Sequence, residues 1–239
     1  MLIFHTNGRI KVSAQLIVIE GLIGVGKSTL TRDLAKKLNY LVCEEPVAEN
    51  PYLKLFYEDQ KRWALEMQFW LMSRRFALHQ QAIEHIWRTG QGVIMDRSIY
   101  GDAIFAARNY LDGNIDKIGY QTYMHMREVM FRYLMVPQIT IYLEASVKTC
   151  VRRIAARNRT FESSIGPKYL QGLEELYKDL LTEMEGKGSN IFRFDWETFR
   201  SASEIITTTG LKEYCGKSFG NYKTIDAALQ GVPSYLELN

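Results

Sequence analysis

Gly21-Leu22-Ile23-Gly24-Val25-Gly26-Lys27-Ser28 is the stretch of this chain whose residue types and spacing carry the most specific chemistry. It fits G-x-x-x-x-G-K-[ST], a loop whose backbone N–H groups close around a phosphate. Gly21, Gly24, Val25 and Gly26 supply the cradle. The N-terminus of a following helix, opening at Thr29, adds its dipole to hold an anion. Lys27 is placed to reach the β- and γ-phosphates of ATP, and Ser28 to ligate Mg²⁺. The context agrees: Leu16-Ile17-Val18-Ile19 reads as a buried strand, and Leu30, Leu34 and Leu38 fall at helical spacings of four. A glycine-rich turn matching by chance is the competing reading, and strand, spacing and helix together weigh against it.

Such a loop alone does not choose between kinase, GTPase, motor and transporter ATPase. Other residues bear on the choice. Glu44-Glu45-Pro46 follows the second strand, at a carboxyl end that faces the ligand crevice of a doubly wound sheet. A carboxylate there can take the proton of an attacking hydroxyl; two solvated acids at a strand end are the plainer alternative. Asp96-Arg97-Ser98 closes the third strand. Asp96 suits a metal, and Arg97 a bridge between donor phosphate and acceptor oxygen; a structural Asp–Arg pair before an N-cap serine is the alternative. Arg153, Arg157 and Arg159 cluster where a helix gives way to a loop, as arginines closing over a transferring phosphoryl group would, or as a basic helix end complementing its dipole. Gln68, Leu71, Met72 and Arg75 share one face of a long helix. Gln68 offers a donor and an acceptor to a planar base edge, helical phase favours Arg75 over Arg74, and a purely packed stripe is the alternative.

The elements that must position these residues alternate between strand and helix, which predicts a parallel sheet with helices on both faces. Strands are expected at 15–20, 39–43, 92–96, 138–143 and 190–195. Helices are expected at 61–88, after Ser98, and at 115–133, 146–157 and 168–185, with a mobile loop over 158–167. Residues 1–14 read as an irregular lead-in. One domain is expected over 1–239, with its core at about 15–210 and a tail of open role beyond 211. The chain has 239 residues, 46% of them hydrophobic, and a net charge of +3, too small to argue for nucleic acid. No apolar run is long enough to span a membrane. Cys43, Cys150 and Cys215 are odd in number and far apart, which suits a reducing cytoplasm. His5, His79, His85 and His125 read as ordinary surface or core histidines.

From about Leu16 to Trp196 the chain resembles the deoxyribonucleoside kinases of the deoxycytidine, deoxyguanosine and deoxyadenosine kinase type. The resemblance rests on five motifs in order: IEGLIGVGKSTL, EEPV, YEDQKRWALEMQFWLMSR, DRSIYGDAIFA and RIAARNRTFE. It implies a P-loop kinase fold with an arginine-bearing lid, ATP and Mg²⁺, and Glu45 as general base. Tyr57 and Glu162 would contact the sugar 3′-hydroxyl, Gln68 would pair with the base, Asp102 would lie near it and Phe105 would stack on it. Met67 and Leu71 join this pocket, at positions where mammalian cytidine and guanosine kinases carry a stacking aromatic and a small residue. Asp195, beside Trp196, joins the ATP-binding set. Members are usually dimers packed through helices, and 61–88 with 115–133 is the candidate face.

The expected reaction is transfer of the ATP γ-phosphate to the 5′-hydroxyl of a deoxyribonucleoside. Arg75 and Asp102 are expected to face each other and the base. That disfavours thymine, whose carbonyl would meet Asp102, and leaves deoxyadenosine, deoxycytidine or deoxyguanosine, with deoxyadenosine slightly ahead. A nucleoside monophosphate kinase of the thymidylate kinase type is the second reading, and a non-enzymatic ATP-gated binding protein the third.

Overall fold

The computed structural model describes residues 5–6, 9–10, 15–45, 50–157 and 165–211. Two short strands, β1 (His5–Thr6) and β2 (Arg9–Ile10), pair antiparallel ahead of the main sheet. This corrects the irregular lead-in expected over 1–14. Asn7-Gly8, between the two strands in sequence, is a strong hairpin signal that the segment's low hydrophobicity masks.

Then follow β3 (Leu16–Gly21), α1 (Lys27–Leu38), β4 (Leu41–Cys43), α2 (Tyr52–Glu58), α3 (Gln60–Thr89), β5 (Val93–Asp96), α4 (Asp102–Leu111) and α5 (Lys117–Phe131). The remaining elements are β6 (Ile139–Glu144), α6 (Val147–Arg157), α7 (Pro167–Gly186), β7 (Asn190–Asp195) and α8 (Ala202–Thr209). The five expected strands form one sheet in the order β4-β5-β3-β6-β7, every pair parallel. β3 lies between β5 and β6, and the connections diverge on either side of it. The carboxyl end of β3 is therefore the place where a doubly wound sheet opens a crevice.

Side chains alternate along β3 and feed two cores. Leu16 and Val18 pack with Val93, Met95, Ala82 and Ile86 on the α3 side. Ile17 and Ile19 join Ile94, Ile139 and Ile141 with Leu30 and Leu34 of α1 on the other. Burial on both faces explains why these strands read as continuous apolar runs rather than alternating ones.

The 30-residue α3 starts where the Asp59 side chain accepts from the Arg62 N–H at 3.0 Å, and it stops at Gly90, which takes φ 69°. Two helices lay outside the sequence expectations. α2 starts next to Asn50-Pro51, where Asn50 Oδ1 accepts from the Tyr52 N–H at 2.9 Å; seven residues are too few to show a period. α8 begins on a capping box formed by Ser201 and Glu204. Cys43 and Cys150 are buried free thiols. Among the described residues, no helix is long and apolar enough to cross a membrane.

Candidate active site

The glycine loop leaves β3 at Gly21 and enters α1 at Lys27. Gly24 and Gly26 take φ 82° and 111°, which side-chain-bearing residues rarely adopt. A Cβ on Gly24 would stand 2.7 Å from Ile154, and one on Gly26 2.8 Å from Phe199. Gly26 caps α1 without a side-chain hydrogen bond, and no acid occupies the first turn, so that helix end favours an anion. Lys27 Nζ donates to the carbonyls of Gly21 (3.1 Å) and Leu22 (3.0 Å). Burial, helped by Arg97, lowers its pKa to about 8 against the opposing pull of Asp96, Glu45 and Glu20.

Ser28 Oγ donates to Asp96 Oδ2. The other oxygen, Asp96 Oδ1, is buried and has no hydrogen-bond partner, and burial raises the pKa of this carboxyl. A hydroxyl and a half-satisfied carboxylate at a phosphate cradle are the hard oxygen donors that Mg²⁺ takes, so these residues fit the ion. Asp195 ends β7 and lines, with Leu22, a groove of about 630 Å³. Thr29 is exposed at the start of α1.

Across the crevice stands a buried cluster of charges. Arg97 occupies the left-handed region at φ 67°, at a cost of roughly 1–2 kcal/mol for a residue with a side chain. Each of its three guanidinium nitrogens has a partner. Nε donates to Glu45 Oε1 at 3.1 Å and Nη2 to the Gly21 carbonyl at 3.3 Å. Nη1 reaches Glu20 at 3.5 Å and the Tyr177 hydroxyl, and the group lies 4.7 Å from the Phe105 ring centroid. Glu20 is held in turn by the Ser98 N–H (2.9 Å) and hydroxyl (2.8 Å). Glu45 also accepts from Arg75. Burial pushes the Glu45 carboxyl up, but Arg97, Arg75 and Lys27 outweigh it and hold it at about 2. Glu44 points away: it is exposed and pairs with Arg32 at 3.0 Å.

Arg75 joins this end of the site to the other. Its second terminal nitrogen donates to Asp102, which is fully buried and also accepts from Tyr123. Gln68 is 1% exposed, and its Oε1 is buried without a partner, an acceptor awaiting a donor. Phe105 lies under Arg97 and Arg75; Met67 and Leu71 pack with Phe56, Ala64 and Ile115 in a separate cluster. Tyr57 bridges that cluster and the main core. The helical-phase argument holds: Arg75 is buried, whereas Arg74 is exposed near Trp70.

Arg153 donates to the backbone carbonyls of Val25 (3.0 Å), Trp196 (2.9 Å) and Glu197 (3.0 Å) and lies 4.1 Å from the Phe199 ring. It sits a full turn inside α6, whose packing directs it at the underside of the glycine loop. Arg157 is exposed at the end of α6. Arg159, Glu162, Pro46 and residues 158–164 of the loop expected over 158–167 lie outside the described residues.

Sequence reasoning missed Glu20, Tyr177 and Tyr123, which hold Arg97 and Asp102. Glu20 had a visible signal, an acid in an otherwise apolar strand; the tyrosines had none, because their partners are 80 and 21 residues away.

A glycine phosphate cradle on a parallel sheet, with a carboxylate and a guanidinium opposite, defines a P-loop kinase. The deoxynucleoside kinase family profile matches residues 17–214, and this chain belongs to that family of phosphotransferases. It is 37% identical over 202 residues to a deoxyguanosine kinase of Dictyostelium discoideum, covering 84% of this chain and 71% of that one. A deoxyadenosine/deoxycytidine kinase of Bacillus subtilis is 36% identical, over 70% and 76% of the two chains. The solved deoxyadenosine kinase of M. mycoides with bound dATP superposes with a TM-score of 0.72 at 31% identity, over 82% of this chain and 99% of that one.

Proposed function

We propose that this kinase transfers the γ-phosphate of ATP to the 5′-hydroxyl of deoxyadenosine, deoxycytidine or deoxyguanosine in preference to thymidine, with deoxyadenosine slightly favoured. The products are the deoxynucleoside monophosphate and ADP. The observation that carries this reading is the guanidinium of Arg75, which spans Glu45 beside the glycine loop and Asp102 at the start of α4. One pocket therefore has a reacting end and a base-reading end. Glu45 accepts the hydroxyl proton and orients the nucleophile. A carboxylate at about 2 is a weak base, but a loose phosphoryl-transfer transition state asks chiefly for positioning and charge stabilisation. Lys27 and Arg97 hold the donor phosphates, and Arg157 and Arg159 close on the transferring group. Ser28 and Asp96 would hold Mg²⁺, which neutralises charge on the phosphate oxygens when bound.

At the base end, Asp102 accepts from the exocyclic amino group of adenine or cytosine while Arg75 donates to a ring nitrogen; guanine meets the pair through O6 and N7 instead. Thymine presents a carbonyl instead, and its 5-methyl meets Arg75. This reading includes one domain over the chain, a cytoplasmic location and a homodimer. The dimer has support from α5, which exposes Ile118 (75%), Met126 (39%) and Val129 (37%). A turnover panel of the four deoxynucleosides with ATP and Mg²⁺, with dTMP as a fifth acceptor, tests the function. Thymidine or dTMP as the best acceptor by kcat/KM overturns it.

A further inference from the structure

Asp102 is gripped from two helices. Arg75 of α3 donates to Oδ1, and the Tyr123 hydroxyl of α5 donates to Oδ2 at 2.5 Å. Both Asp102 and Tyr123 are 0% exposed, so water does not compete for either bond. A hydroxyl at this distance from a carboxylate makes a short, charge-assisted hydrogen bond, about twice as strong as a neutral one. The Tyr123 ring is also fixed, tilted against Phe69 of α3 with centroids 6.0 Å apart. Burial pushes the phenol above its ordinary pKa, so it keeps its proton and stays a donor.

A carboxylate with one donor on each oxygen cannot turn about its last bond without breaking one of them. It also has only lone pairs left to offer. A base brought to it meets a fixed acceptor.

We propose that Tyr123 is a specificity-determining positioning residue: by holding Asp102 in place as an acceptor, it makes the pocket favour a pyrimidine with an exocyclic amino group over one with a carbonyl at the same edge. The inference rests on the proposed function, in which Asp102 reads the base. Without the phenol hydroxyl, Asp102 keeps only its Arg75 bond and is free to turn that oxygen away from the base.

The test compares a pair differing at that edge, deoxycytidine with deoxyuridine. Cytosine presents an amino donor beside a ring acceptor; uracil presents a carbonyl beside a ring N–H. Tyr123→Phe keeps the ring volume and removes the donor. The kcat/KM ratio within this pair should fall roughly tenfold, the worth of one hydrogen bond to a charged group. KM for ATP should stay within about twofold. With Asp102→Ala already present, adding Tyr123→Phe should leave the ratio within about twofold, because the two residues act as a unit. Tyr123→Met, which also lacks a donor and packs adaptably, reads the same ratio if the phenylalanine variant does not fold. An unchanged ratio in a folded donor-less variant overturns the proposal, as does an equal fall in the Asp102→Ala background. Failure of the kinase reading itself looks different: the unaltered protein would then turn over no deoxynucleoside.

Discussion

Arg75 of the long helix α3 donates to Glu45 at the end of β4. The side chain that helical phase assigns to the base therefore also grips the carboxylate assigned to the 5′-hydroxyl. With Arg97 on the same oxygen of Glu45 and Asp102 on the far nitrogen of Arg75, the two ends of the pocket form one buried network. Removing a single member of such a network strands a buried charge, which typically costs about 3–5 kcal/mol. Substitutions here should be judged with a melting curve alongside each rate.

Glu45 and Glu44 separate cleanly. Glu45→Gln keeps the shape but removes the acceptor charge, and kcat should fall roughly 10²–10⁴-fold. Glu44→Gln disturbs only an exposed pair with Arg32 and should change kcat little. Equal effects in single-turnover assays would sink the assignment.

The Glu45 carboxyl sits at about 2, below the ordinary value of ~4.3. Its ionisation therefore stabilises the fold above about pH 4, and that contribution disappears as pH falls through about 2. Between pH 8 and 5, kcat/KM should show no acid limb from this group. A pH–rate profile with a group near 6 that vanishes in Glu45→Gln would contradict this.

Lys27 behaves in the opposite sense. Its pKa, lowered to about 8 by burial, means that it carries full charge for phosphate only below that pH. ATP binding to the free protein should weaken as pH rises through about 8, and Lys27→Ala should bind weakly with no such dependence. Tryptophan fluorescence titrations across pH 6.5–9.5 check both statements.

Asp96→Asn should raise the Mg²⁺ concentration needed for half-maximal rate, by roughly 10–100-fold. The asparagine keeps the hydrogen bond to Ser28 but loses the charge of the unpartnered Oδ1. An unchanged Mg²⁺ titration would remove Asp96 from the metal site.

Arg153 and Arg157 should fail in different ways. Arg153→Ala leaves the carbonyls of Val25, Trp196 and Glu197 without their donor, so the melting temperature should drop and KM for ATP rise. Arg157→Ala should lower kcat and kcat/KM together, the pattern of a contact made only in the transition state. If only KM for ATP moves in Arg157→Ala, the lid role fails.

The parallel sheet, the glycine loop and the long helix were legible in the amino-acid order because each is set by local rules. Buried strands read as apolar runs, a phosphate cradle needs glycines at fixed spacing, and one helix face repeats every three to four residues. Phase alone separated Arg75 from Arg74, and an adjacent proline singled out Glu45 from Glu44. What only the tertiary structure decided is which charges share a partner. Glu20 with Arg97, Arg153 with the glycine loop, and Tyr123 with Asp102 lie 77, 128 and 21 residues apart. Their meeting follows from the strand order β4-β5-β3-β6-β7 and the packing of α5 and α6 around it. In that buried setting most polar atoms find a partner, and it is whichever one the fold brings within about 3 Å.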